Sequence, residues 1–226
     1  MNYSKFSLET YLYTNSKVIF MPWEFIHEVG RKIIHITILI VLAAYFLIED
    51  GLINHGYAAV LAKQAALLFL VMMLIIFLIL EYMRLELGWR MPFFSRFIRP
   101  KEEHRMYGVI YFLSATIISL AVFRKEIALA ALLMTTFGDM VAALVGKKYG
   151  TTLIYRNKTW AGVIGELIVN LIVGFLVLYN LPSGIYIILG MALVATIVET
   201  LVDELDDNLI IPLFSGFVGQ IILFSL

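Results

Sequence analysis

Long apolar runs separated by short polar joints set the pattern of this chain. Seven segments, roughly 33–48, 57–80, 107–123, 126–146, 161–179, 184–200 and 208–225, meet or approach the roughly 20 apolar residues that a membrane-crossing helix needs. The first, third and last are short, so six helices with one re-entrant piece is the alternative count. Turn-forming residues mark the joints at Asn54-His55-Gly56, Met91-Pro92, Pro100 and Leu181-Pro182-Ser183-Gly184. The expected fold is therefore all-α: a polytopic membrane bundle of about seven transmembrane helices, forming a single integral membrane domain over 1–226. No internal repeat or low-complexity tract interrupts it.

Composition removes the soluble alternatives. The chain is 62% hydrophobic and 15% charged, with a mean hydropathy of +0.92, whereas a soluble domain is about 45–50% apolar and about 25% charged. With no cysteine, disulfides and thiolate metal sites are excluded. Residues 1–27 read as an interfacial segment, with Tyr3, Phe6, Tyr11, Tyr13 and Phe20 suited to a membrane surface. Met1 to Pro22 carries no long apolar run and no small-residue cleavage site, so no signal peptide is expected there.

Net charge is zero, but the placement of the charges is lopsided. With the N-terminus inside, one face collects Lys5, Lys17, Arg31, Lys32, Arg84, Arg90, Arg96, Arg99, Lys101, Arg105, Lys147, Lys148, Arg156 and Lys158. The other face holds Arg124 and Lys125, with Lys63 ambiguous near a helix start. The excess of Lys and Arg in cytoplasmic loops then predicts a cytoplasmic N-terminus and an external C-terminus. The loop 84–106 interleaves aromatics and arginines through Trp89, Arg90, Phe93, Phe94, Arg96, Phe97 and Arg99. That mixture suits the headgroup layer, as an anchor first and as a substrate gate only second.

Intramembrane charges cost about 2.5–3.5 kcal/mol each on insertion scales and need a reason to be there. Four clusters qualify, all on the same face. Glu28, Arg31, Lys32 and His35 share a helical stripe at the mouth of the first span. Glu81 and Arg84 close the second helix, with Arg105 opening the third. The third cluster begins at Gly138-Asp139, which lies on the order of 10 Å inside its helix at 1.5 Å per residue. Gly138, Ala142 and Gly146 add a small-residue face, which by itself signals close helix packing. The loop 147–160 runs from Lys147 through Lys158-Thr159, and Gly162, Gly165 and Glu166 follow it. A lysine and a hydroxyl cap ahead of a glycine-bearing helix start can cradle phosphate. The spacing matches neither a Walker A loop nor a dinucleotide fingerprint. In the fourth cluster Glu199, Asp203 and Asp207 fall at i, i+4 and i+8, with Asn208 following. A helix continuing through them would stack three carboxylates, which repel unless a cation sits among them. Hard oxygen donors suit Mg²⁺; a solvated acidic turn is the bland alternative.

Together these residues resemble the polyprenol kinase family, which includes dolichol kinase, phytol kinase and the CTP-dependent diacylglycerol kinases. The resemblance rests on Glu28 through His35, Gly138-Asp139 with Gly146 and Gly150, Lys158-Thr159 with Gly162 and Gly165, and Glu199 through Asp207-Asn208 and Pro212. It implies a multispanning enzyme that phosphorylates a lipid alcohol, with CTP as phosphoryl donor and a divalent metal, Mg²⁺, as cofactor. Lys158, Thr159, Gly162 and Gly165, with Lys147, would then hold donor phosphates. Glu199, Asp203, Asp207 and Asn208 would carry the metal. Asp139 would be a metal ligand or the base, and Arg31, Lys32 and His35 would steer phosphates or the lipid hydroxyl. Glu28, Glu81, Arg84, Arg105 and Glu166 complete the polar surroundings.

The lipid is left open among dolichol, polyprenol, phytol, geranylgeraniol and diacylglycerol, as are a homodimer and the membrane itself (plasma membrane in a microbe; endoplasmic reticulum or plastid in a eukaryote). A CDP-lipid cytidylyltransferase is the near rival, although its acidic signature is not found. An ion-coupled transporter is the rival of another class; one-sided clustering and the lack of an inverted repeat stand against it.

Overall fold

The computed structural model describes residues 39–88, 106–156, 158–202 and 205–226. Within them lie seven helices: α1 over 39–54, α2 Ala59–Leu87, α3 Gly108–Val122, α4 Lys125–Tyr149, α5 Trp160–Leu178, α6 Gly184–Leu201 and α7 Asp207–Ser225. Five of these, α2 and α4 to α7, are long and apolar enough to cross a membrane, and α3 is a shorter apolar helix. The all-α membrane bundle is thus as the hydropathy pattern predicts. One small addition interrupts the loop between α4 and α5: strands β1 (Leu153–Tyr155) and β2 (Lys158–Thr159) pair antiparallel.

Helices α4 and α5 share the most extensive interface, and α5–α6, α6–α7 and α4–α7 contacts close a four-helix group; α3 packs on α7, and α2 on α3. The centre is apolar and fully buried at Leu70, Phe112, Ile127, Leu132, Met134, Leu178, Ile187 and Met191. Lipid gives no hydrophobic drive for helices to associate, so close approach must supply the contact energy. The α4–α5 seam does this with glycine. A Cβ on Gly162 would stand 2.8 Å from the Ala142 carbonyl oxygen and 3.3 Å from Gly146 Cα; one on Gly165 would touch Val141 and Val145.

Polar ties fasten both ends. At the end remote from the site, Lys125 bridges Glu49 (2.9 Å) and Asp50 (3.3 Å) of α1. The Arg124 N–H donates to Gln220 Oε1 at 2.7 Å, and Lys63 Nζ donates to the Ala121 carbonyl at 3.4 Å. Lys63 therefore belongs with Arg124 and Lys125. At the other end, Arg84 donates to both oxygens of buried Glu81 (2.9 and 2.6 Å). The Tyr107 N–H donates to Glu81 Oε1 at 3.0 Å, and the Arg84 guanidinium lies 4.0 Å from the Tyr107 ring centroid. This clasp joins the end of α2 to the start of α3.

Two glycine substitutions separate packing from chain entropy. Gly162→Ala forces the α4–α5 seam apart and should cost about 1–3 kcal/mol, the usual range for overpacking. Gly51→Ala in α1 meets nothing within 4 Å and should be neutral or slightly stabilising, by up to about 1 kcal/mol. Unfolding of the purified protein in mixed micelles reads both.

Candidate active site

Four chain segments converge at the mouth of the four-helix group. α4 runs beyond the segment the hydropathy outlines, to Tyr149, so Asp139 sits on the order of 15 Å inside its end at 1.5 Å per residue. The β1–β2 hairpin then folds the chain back. Its second strand delivers Lys158 and Thr159 to the start of α5, where Thr159 caps the helix by accepting from the Gly162 N–H at 3.2 Å. α6 brings Glu199 in its last turn, and α7 begins at Asp207.

The acids do not stack on one continuing helix as their spacing suggests. α6 stops at Leu201, with Val202 extended. Asp206 starts a new helix by accepting from the Asn208 N–H at 3.1 Å. The corner nevertheless brings Glu199 and Asp207 together, and Asp139 joins them from α4. One oxygen from each of the three carboxylates lies within 4.8 Å of the others.

Glu199 is 2% exposed. Its Oε1 takes a short hydrogen bond from Lys158 Nζ, while Oε2 is buried with no hydrogen-bond partner. Partial burial disfavours the Lys158 charge, but Glu199 first, then Asp139 and Asp207, outweigh it and hold the ammonium pKa above its usual value. A raised lysine pKa places this stabilisation fully below about pH 10. It is lost only as pH rises through the still higher folded value. The lysine thus stays charged throughout the neutral range as the counter-ion of the acids.

The other sequence candidates divide. Glu166 is buried on α5 and accepts from Asn170 Nδ2 at 3.4 Å, leaving its Oε2 without a partner. Gly162 and Gly165 are accounted for by packing against α4, and the N–H groups of Trp160 and Gly162 are already given to Thr152 and Thr159. The helix start thus offers fewer free donors to a phosphate than the sequence implies. Lys147 lies in the last turn of α4 at the same mouth. Asn208 turns its amide to Asp206 Oδ1 at 2.8 Å and packs against Gly108 of α3, so it shapes the start of α7. Glu81 and Arg84 form the α2–α3 clasp. Glu28, Arg31, Lys32, His35, Arg105 and Asp203 lie outside the described residues.

Two buried residues escaped the sequence reading. Asn170 donates to Thr196 Oγ1 on α6 at 3.2 Å. Asn170 follows Glu166 at i+4, and Thr196 precedes Glu199 at i+3; that helical spacing was the available signal.

A cation site suits this donor set. Three carboxylate oxygens converge, and one buried Glu199 oxygen lacks any partner. Such hard oxygen ligands fit Mg²⁺.

Fold and site together define a polytopic membrane protein whose acidic, lysine-bridged centre opens at one end of its bundle. The profile of the Cytidylyltransferase family matches residues 6–203, and the chain belongs to that family. The CTP-dependent diacylglycerol kinase 1 of Saccharomyces cerevisiae is 32% identical over 156 residues, covering 65% of this chain and 49% of its own length. Phytol kinase 1, chloroplastic, of Arabidopsis thaliana is 32% identical over 129 residues, covering 50% and 42%. The CTP-dependent diacylglycerol kinase 1 of Schizosaccharomyces pombe is 26% identical over 226 residues, covering 89% and 96%. The chain therefore spans about half the length of the first two relatives and nearly all of the third. No solved structure matches the chain. The resemblance to membrane lipid kinases read from the residues is borne out.

Lys158 holds Glu199 Oε1, so its charge competes with any cation drawn to that carboxylate. Lys158→Met should tighten Mn²⁺ binding to the nucleotide-free protein severalfold, measured by electron paramagnetic resonance. Weaker binding would mean that the lysine organises the acids instead of competing for them.

Proposed function

We propose that this protein is a CTP-dependent lipid kinase, transferring the γ-phosphoryl group of CTP to the hydroxyl of an isoprenoid alcohol or of diacylglycerol. The convergence of Asp139, Glu199 and Asp207 beside Lys158 carries the reading. Phosphoryl transfer needs little covalent chemistry from a protein; it needs positioning and charge stabilisation. A carboxylate trio and a lysine charged at neutral pH, at a membrane mouth, supply both.

Asp139, Glu199 and Asp207, with Asp203, would hold Mg²⁺; when bound, the ion neutralises charge on the transferring phosphates. Lys158 and Lys147 contact the donor phosphates, Lys158 exchanging its Glu199 contact for phosphate oxygen. Because its oxygen lies with those of Glu199 and Asp207, Asp139 is assigned as ligand in preference to base. Arg31, Lys32 and His35 steer phosphates or the lipid hydroxyl. In the transfer, the alcohol oxygen bonds to the γ-phosphorus, the bridge to the β-phosphate breaks, CDP leaves, and the hydroxyl proton passes to a base. The cytoplasm holds CTP, and the surplus of lysine and arginine at this mouth supports a cytoplasmic site.

Two acceptor classes are supported by different relatives. The phytol kinase likeness favours an isoprenoid alcohol such as phytol, geranylgeraniol, polyprenol or dolichol. The Schizosaccharomyces pombe relative, matched over 96% of its length, favours diacylglycerol. A homodimer is not needed for the three acids to meet, since all come from one chain.

The test is transfer from γ-labelled CTP, beside ATP, to phytol, a polyprenol and diacylglycerol in mixed micelles with Mg²⁺. The expected result is labelled lipid phosphate with release of CDP, lowered at least 100-fold by Glu199→Gln or Lys158→Ala, as for loss of a major electrostatic group. Pyrophosphate release with a CDP-lipid product would instead establish a cytidylyltransferase. Folded protein with neither product would remove both readings.

A further inference from the structure

Behind the acidic mouth, the seam of α4, α5 and α6 carries polar side chains with no part in the scheme above. Asn170 is fully buried, four residues below Glu166 on α5. Its amide nitrogen donates to Glu166 Oε1 (3.4 Å) and across to Thr196 Oγ1 on α6 (3.2 Å). Thr196 stands one turn from Glu199. On the remaining side, a Cβ at Gly138 would sit 2.7 Å from Asn170 Oδ1 and 3.2 Å from Glu166 Cγ; Asp139 is the next residue. One amide thus meets α5, the turn of α6 that precedes Glu199, and the α4 residue beside Asp139.

Both side chains are buried, and a buried group left unpaired costs about 1–3 kcal/mol. Slippage of α6 along α5 would break the bond to Thr196 and carry Glu199 with it. Glu166 Oε2, Asn170 Oδ1 and Glu199 Oε2 are all buried acceptors without a hydrogen-bond partner.

We infer that Asn170 and Thr196 form a positioning pair for the cation site: they fix the register of α6 against α4 and α5 and so hold Glu199 in reach of Asp139. The inference rests on reading the three acids as a cation site. Neither side chain is among the three acids, so neither is a catalytic residue.

Mn²⁺ binding, followed by electron paramagnetic resonance on the full chain in detergent, tests this without turnover. Thr196→Val keeps the side-chain shape and removes the hydroxyl; Thr196→Ser restores it. Thr196→Val and Asn170→Leu should raise the Mn²⁺ Kd severalfold, since they act on Glu199 only through the register of α6, and Thr196→Ser should bind as the parent does. Melting in EDTA reads packing alone, and an unchanged Kd in Thr196→Val, whatever its melting temperature, overturns the inference. If Asn170→Leu fails to fold, the Thr196 pair of variants decides alone. A parent protein that binds no Mn²⁺ overturns the inference together with the cation site. One that binds Mn²⁺ with the predicted pattern but transfers no phosphate removes the kinase reading and leaves the positioning pair standing.

Discussion

Bringing three carboxylates together at the mouth of a membrane bundle is the constraint on which this structure turns. Asp139, Glu199 and Asp207 repel one another, and Glu199 is almost wholly withdrawn from solvent. Buried charge persists only where it is paired or coordinates a cation. Lys158 supplies part of that compensation, and it must arrive from a segment that lies outside the membrane-spanning helices. The β1–β2 hairpin meets this need by turning the chain back over the mouth, and the glycine seam of α4 and α5 draws the strand close.

The rest of the bundle serves the same arrangement. Breaking the chain between Leu201 and Asp207, instead of continuing one helix, turns the two acids toward each other and lets α7 pack on both α3 and α4. The Glu81–Arg84–Tyr107 clasp fixes the start of α3, and Gly108 then closes on Asn208 beside Asp207. Ties at the opposite end, such as Lys125 with Glu49 and Asp50, carry no comparable excess of acid.

Much of this was legible in the residues because membranes impose simple rules. Length and hydropathy locate the helices, and Asp139 and Glu199 stand out as charges in apolar runs. What spacing could not reveal is how separate elements meet. The i, i+4, i+8 pattern of Glu199, Asp203 and Asp207 predicts a stack on one helix, yet Asp206 restarts the chain as an N-cap and Asp139 becomes the third partner. Gly162 and Gly165 look like a phosphate cradle in sequence, since glycine serves close helix packing and ligand approach equally well. Asn170 and Thr196 are single polar residues in apolar helices, and only their bond across the α5–α6 boundary gives them meaning.

The family shares its name with cytidylyltransferases while these relatives are named as kinases; both chemistries set a cation against CTP phosphates. The most direct test is therefore the location of the ion. Anomalous diffraction from crystals grown with Mn²⁺ and CTP should show a peak bounded by Asp139, Glu199 and Asp207, with the phosphates on the Lys158 side. Bound nucleotide with its Mn²⁺ held elsewhere, and these three acids without an ion, would contradict the account.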